Sequence, residues 1–328
     1  MNTAQWLEKI RLEKISMPIL SFPSVDLTGK TVKELISSSD EQARGMKAIA
    51  DRCKAAAAVS MMDLSVEAEA FGAEIRYSDN EVPTVSGRVV RGKENAEALR
   101  IPKVGDGRTG RYIEAIGKAK KLITDRPVFA GVIGPFSLAG RLMDMTEIMI
   151  DCFMEPEAVH TVLRKTSEFI AAYIEGYKVA GADGVIIAEP AAGIISPGMN
   201  EEFSVSYLND IVSKVKTDNF TVIYHNCGRT MQLLPGILKI GADAYHFGDA
   251  ADMRYISEHI PEETVFMGNI SPSREFKCGT PESVKTAVRS LLDDMKGKSN
   301  FVLSSGCDIP PGTLWENIDA FFAAAEEE

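Results

Sequence analysis

The stretch Thr221-Val222-Ile223-Tyr224-His225-Asn226-Cys227-Gly228 decides how the chain is read. Its β-branched opening is that of a strand, and Gly228 lets the chain turn at the end. Successive side chains of a strand point to opposite faces, so His225 and Cys227 share one face while Tyr224 and Asn226 share the other. An imidazole and a thiol then converge at a strand end. A second stretch, Phe301-Val302-Leu303-Ser304-Ser305-Gly306-Cys307, closes in a similar way. Together they spell His-x-Cys…Cys, the residue types of a three-ligand zinc site that keeps one coordination position open. The alternative is a buried structural histidine with two inert thiols, because free cysteine is commonly buried.

Outward from these two runs the pattern alternates. Strand-like runs at 57–63, 127–135, 185–190, 221–227, 244–248, 264–269 and 301–307 are nearly continuous in apolar residues and are separated by helix-like segments. Such strands imply a parallel sheet covered on both faces. No Gly-x-Gly-x-x-Gly follows any of them, which argues against a dinucleotide-binding sheet. No linker or internal repeat interrupts the pattern. The expectation is an α/β fold, a (β/α)8 TIM barrel forming a single domain over residues 1–328, with residues 1–56 as an N-terminal helical extension packing on the barrel. The eighth strand is expected within residues 74–90.

Of the 328 residues, 45 % are hydrophobic and 25 % charged, an ordinary globular balance. The formal net charge of −11 and the absence of a Lys/Arg cluster argue against nucleic-acid binding. No apolar run approaches the ~20 residues of a membrane span. Glu8, Lys9, Arg11, Glu13 and Lys14 interrupt the N-terminal stretch where a signal-peptide core would lie, so a cytoplasmic location is expected. The five cysteines do not suggest a disulfide framework. Cys53 and Cys152 have helical surroundings and Cys278 lies in a turn-like segment, which leaves Cys227 and Cys307 beside strand-ending glycines.

In such a barrel, catalytic groups gather at the C-terminal strand ends. The polar residues there are Asp63, Glu189, His225, Cys227, His246, Asn269 and Cys307. Asp63 and Glu189 are the catalytic candidates, and Glu189 is also a candidate fourth zinc ligand, displaced on turnover. His246 and Asn269 are candidates for cofactor contact. Each has a plainer alternative: Asp63 and Glu189 as helix caps, His246 as a satisfied core histidine, Asn269 bonded to the turn before Ser271-Pro272. Arg108 and Arg111, in a glycine-rich loop before a helix, would suit an anionic acceptor tail, or be exposed arginines beside Asp106. A zinc-bound thiol is deprotonated at neutral pH, and a thiol delivered to the open position becomes a nucleophile suited to a methyl group.

The chain resembles uroporphyrinogen decarboxylase and its relatives, the methylcobamide (corrinoid):coenzyme M-type methyltransferases. The resemblance rests on Met62-Asp63-Leu64-Ser65-Val66-Glu67-Ala68-Glu69-Ala70-Phe71-Gly72 and on Gly134-Pro135-Phe136-Ser137-Leu138-Ala139-Gly140. Further matches are Ala188-Glu189-Pro190 with Ile195-Ser196-Pro197, His225-Asn226-Cys227-Gly228 and Ser304-Ser305-Gly306-Cys307-Asp308. It implies a (β/α)8 barrel in which His225, Cys227 and Cys307 bind zinc. It also implies transfer of a methyl group from a methyl-Co(III) corrinoid, carried by a partner protein, to a thiol such as coenzyme M or homocysteine, or in some relatives to tetrahydrofolate. The absence of an Asp-x-His-x-x-Gly cobalamin motif agrees with a corrinoid borrowed from a partner. In the decarboxylase branch Asp63 resembles the aspartate that stabilises the pyrrole intermediate. The arginine-rich motif of that branch is absent, since Arg11, Arg44 and Arg52 are unclustered.

Overall fold

A computed structural model describes residues 2–327. Seven strands form one parallel sheet among the described residues: β1 (Ala58–Val59), β2 (Val128–Ile133), β3 (Gly184–Ala188), β4 (Thr221–Asn226), β5 (Ala244–Phe247), β6 (Val265–Ile270) and β7 (Phe301–Ser305). Neighbours in the sheet are neighbours in the chain, each reached through intervening helix, as a β/α barrel requires.

Strand alternation builds two layers. Phe129, Ile186, Ile223, Val265 and Val302 point inward and pack on one another. Val128, Val132, Val185, Ile187, Val222 and Tyr224 point outward beneath the helices. Both faces are therefore apolar, and the strands read as continuous hydrophobic runs for that reason.

The barrel expectation is borne out with one correction. Residues 74–90 do not supply an eighth strand; they form an antiparallel hairpin, Glu74–Arg76 against Thr84–Ser86, apart from the parallel sheet. The hairpin strands are exposed or half-buried, so they bring little apolar surface to a core. The gap between β7 and β1 is bridged instead by the extended segment around Met17. Met17 N donates to Leu303 O on β7, and Ala56 N, just ahead of β1, donates to Ser16 O. Met17 and Ile19 are each 1 % exposed and join the inward layer. Burial of those two side chains selects this segment over the hairpin.

Helix α1 (Thr3–Leu12) closes the N-terminal end of the barrel. Asn2 caps it by accepting from Gln5 N. Trp6 meets Phe129 edge to face with centroids 4.9 Å apart, and its indole N–H donates to Ala56 O. Thr3 N donates to Asp218 O, and Thr221 Oγ1 donates to Thr3 Oγ1, tying the helix to the start of β4. The opposite, C-terminal mouth carries the polar strand ends. Helix α2 (Thr109–Leu122) starts beside it, where Arg108 meets Asp63, and α3 (Pro135–Met143), α4 (Met145–Met154) and α5 (Pro156–Ala180) follow β2 in the chain.

Trp6 is 2 % exposed, so Trp6→Ala is expected to destabilise the fold by about 3 kcal/mol or more. Urea unfolding should show a lower midpoint with an unchanged slope; an unchanged midpoint would mean that α1 does not plug the barrel.

Candidate metal centre

His225 lies at the end of β4 with Cys227 just beyond it, and Cys307 follows β7. The ligand atoms of His225, Cys227 and Cys307 all lie within 4.8 Å of one another. A tetrahedral zinc with bonds of about 2.0–2.3 Å needs ligand atoms roughly 3.3–3.8 Å apart, so a small contraction closes the set. The turn at Cys227 depends on close backbone approach. A Cβ added to Gly248 would lie 2.3 Å from Cys227 Cα, and one on Gly193 would lie 2.6 Å from Gly228 Cα.

A chain of hydrogen bonds fixes how His225 presents itself. Ser304 Oγ donates to Met17 O at 2.6 Å. A carbonyl can only accept, so the serine proton is committed and His246 Nε2 donates to Ser304 Oγ at 2.8 Å. His246 Nδ1 is then an acceptor, and His225 Nδ1 donates to it at 2.8 Å. His225 Nε2 is left with its lone pair, buried and without a hydrogen-bond partner. Burial, with the neighbouring His225 adding to it, holds His246 well below the ordinary histidine pKa and therefore neutral. An imidazole with one nitrogen held by a hydrogen bond and the other free is the form that ligates a metal.

The two thiols interact directly. Cys307 donates to the Cys227 sulfur; that bond, then His225, lowers the Cys227 pKa against the opposing effect of burial. The same bond, reinforced by burial, pushes Cys307 up. A bound cation would displace the thiol protons. One imidazole and two half-buried sulfurs form a donor set that fits zinc.

The other residues singled out in the sequence are placed differently. Glu189 is fully buried and does not join the cluster. It accepts from Phe136 N at 3.0 Å and Ser137 N at 2.6 Å, capping the start of α3, the plainer of its two readings. Burial raises its pKa to about 7, partly offset by the bonds from Ser137 and Phe136. Strand alternation accounts for its position, because Ala188 pairs in register with His225 and Glu189 points the other way.

Asp63 is held by four donors, one of them the Ser65 backbone N–H at 3.0 Å. It accepts from Arg108 Nη1, from Ser65 Oγ at 2.6 Å and from Tyr112 Oη at 3.0 Å. Arg108 is 3 % exposed; its Nε donates to Glu69 and its Nη2 to Ser65. The arginine read as a loop residue thus lies inside a closed charge network. Arg111 stands half-buried in the first turn of α2. Asn269 donates to Gly248 O and Ala251 O, pinning the loop after β5 rather than the turn at Ser271. His246 is a bonded core histidine whose partner, His225, is a candidate ligand. Ser304 and Met17 were not singled out; the signal was the inward register of Ser304, two residues after Val302.

Fold and site together define a β/α-barrel protein with a His/Cys/Cys set that could hold a metal ion at the C-terminal mouth of its strands. The chain belongs to the uroporphyrinogen decarboxylase (URO-D) family, whose model matches residues 20–328. It is 30 % identical over 268 residues to the methylcobamide:CoM methyltransferase MtbA of Methanosarcina acetivorans, covering 80 % of this chain and 77 % of that protein. It is 24 % identical over 280 residues to the uroporphyrinogen decarboxylase of Vesicomyosocius okutanii, covering 82 % and 78 %. A solved methyltransferase from Methanosarcina mazei matches with a TM-score of 0.85 and 25 % identity, over 95 % of this chain and 94 % of that one. The resemblance to the methyltransferase branch is borne out by these relatives. No helix of the described residues is long and apolar enough to cross a membrane.

Because His246 orients His225, His246→Ala is expected to weaken zinc binding by about 10- to 100-fold, measured by competition with a chromogenic chelator. Equal affinity in variant and wild type would show that the histidine pair does not serve the metal.

Proposed function

We propose that the protein is a zinc-dependent methyltransferase that moves a methyl group from a methyl-Co(III) corrinoid, held by a partner protein, to a small thiol. The observation that carries this reading is the three-donor cluster of His225, Cys227 and Cys307 with Glu189 bonded elsewhere. A donor set of three leaves a coordination position for an incoming ligand, whereas a fourth protein ligand would make the site structural.

Zinc, when bound, supplies a Lewis acid that favours the thiolate form of a coordinated thiol. The chain supplies the rest. His225 directs Nε2 at the site because His246 and Ser304 hold its other nitrogen. Gly193 and Gly248 let the flanking loops approach the backbone at Cys227 and Gly228. In the transfer the acceptor thiol releases its proton and its sulfur forms the new S–CH3 bond. The Co–C bond of the donor breaks with both electrons staying on cobalt, so methyl-Co(III) becomes Co(I). Atoms and charge balance without an added oxidant or reductant. Coenzyme M and homocysteine are the acceptors considered, and tetrahydrofolate is the alternative for which thiolate formation is irrelevant. The porphyrinogen reading draws less support, because Asp63 is already occupied by Arg108, Ser65 and Tyr112.

The test mixes the pure, zinc-replete protein with methylcobalamin and with coenzyme M, homocysteine or tetrahydrofolate in turn, following the corrinoid spectrum. The expected result is thiol-dependent demethylation that Cys307→Ala reduces to the uncatalysed rate. Demethylation only with tetrahydrofolate, or carbon dioxide release from uroporphyrinogen, would overturn the proposal.

A further inference from the structure

Arginines withdrawn from solvent ordinarily meet carboxylates or carbonyls, because an unpaired buried cation is costly. Arg88 bridges Glu147 and Asp151, Arg108 bridges Asp63 and Glu69, and Arg126 meets Asp125 and the carbonyl of Ala55. Arg141 is different. It sits in the last turn of α3, is only partly exposed, and makes no hydrogen bond or ion pair among the described residues. Burial lowers its pKa while Glu67 and Asp63 act from farther away. Neither bonds to it: Asp63 is saturated by Arg108, Ser65 and Tyr112, and Glu67, whose Oε1 accepts from Ile133 N, keeps a buried Oε2 without a partner and forms no ion pair with Arg141.

Arg141 lines a cavity of about 440 Å³ at the mouth, with Val85, Ser137, Met145 and Ala191 among its other walls. That volume lies in the range of small-molecule sites. The carboxylate of Asp144 also borders the cavity, and it is engaged in capping α4 through Thr146 N and Glu147 N. The wall at Pro190 and Ala191 belongs to the segment that leaves β3, and Ala188 of β3 is the register partner of His225. Farther along the same segment Gly193 packs on Gly228, next to Cys227. The cavity and the donor cluster are thus two ends of one short loop.

We propose that Arg141 is an anion-binding subsite that takes the sulfonate or carboxylate tail of the acceptor, whose thiol end reaches the His225–Cys227–Cys307 cluster. This rests on the thiol-acceptor reading and narrows it to short thiols with a negatively charged end. A guanidinium offers paired N–H donors to a planar or trigonal oxyanion, which the apolar remainder of the cavity does not. A neutral thiol of equal length gains nothing from Arg141. The fold change expected from charge-assisted hydrogen bonds is about ten- to a hundredfold.

Titration calorimetry on the zinc-loaded protein tests this with 2-mercaptoethanesulfonate, 3-mercaptopropionate and the neutral 2-mercaptoethanol. The anionic thiols should bind tenfold or more tightly than the neutral one. Arg141→Gln should abolish that difference while leaving 2-mercaptoethanol binding unchanged, and Arg141→Lys should retain part of it; matched melting temperatures show that the variants fold. Ethanesulfonate and propionate, which lack a thiol, are titrated into metal-free protein as a separate arm. Arg141-dependent binding there, with no thiol binding to the zinc form, keeps the subsite and sinks the thiol-acceptor reading. Thiol binding with no preference for the charged tail, or a preference that survives Arg141→Gln, overturns the subsite and leaves the acceptor reading standing.

Discussion

The hydrogen-bond chain from the Met17 carbonyl through Ser304 and His246 to His225 is the constraint on which the rest of the structure turns. It begins in the segment that bridges the sheet and ends at an imidazole nitrogen aimed at two sulfurs. Each member is buried, so each polar atom must be matched or the site pays several kcal/mol. Among the atoms of this hydrogen-bond relay, His225 Nε2 is the one left unmatched. Closing the barrel and preparing the donor set are thereby one act: displacing Met17 would leave Ser304 free to donate to His246 and reverse the proton order along the pair.

The mouth contains two polar assemblies of opposite character. Around Asp63 the charges are closed on themselves, with Arg108 answering Asp63 and Glu69 while Tyr112 and Ser65 fill the remaining lone pairs. Such a network holds the strand end and the start of α2 in place, and its donors are committed. Around Cys227 the groups are incomplete. Two sulfurs face one another, His225 Nε2 has no partner, and Gly193 and Gly248 keep the loops near. An arriving ligand at the second assembly satisfies an atom that the protein leaves unmatched, whereas the first offers it none around Asp63.

Much of this was legible from the chain. The apolar runs and their helical spacers specify a parallel barrel, and period-two alternation places His225 and Cys227 together. The same alternation would have turned Glu189 away from them, since Ala188 occupies the inward position beside His225. What escaped reading was long-range. The 17–20 stretch lacks a strand pattern, yet it bridges the sheet because Met17 and Ile19 bury fully. The partner of Arg108 lies 45 positions away in sequence, and nothing local marks an ion pair across that separation. Arg141 sits in an ordinary helical stretch, and its lack of a partner is visible only in the fold, where Asp63 is taken by Arg108 and Glu67 forms no ion pair with it.

The central claim is that three protein donors hold the metal and a fourth position admits a thiol. X-ray absorption at the zinc K-edge, on protein purified without chelators, tests it most directly. The account predicts two sulfur neighbours with nitrogen or oxygen completing the sphere, and a third sulfur at about 2.3 Å once an acceptor thiol is added. A sphere that is unchanged by thiol, or protein that holds no zinc, would contradict it.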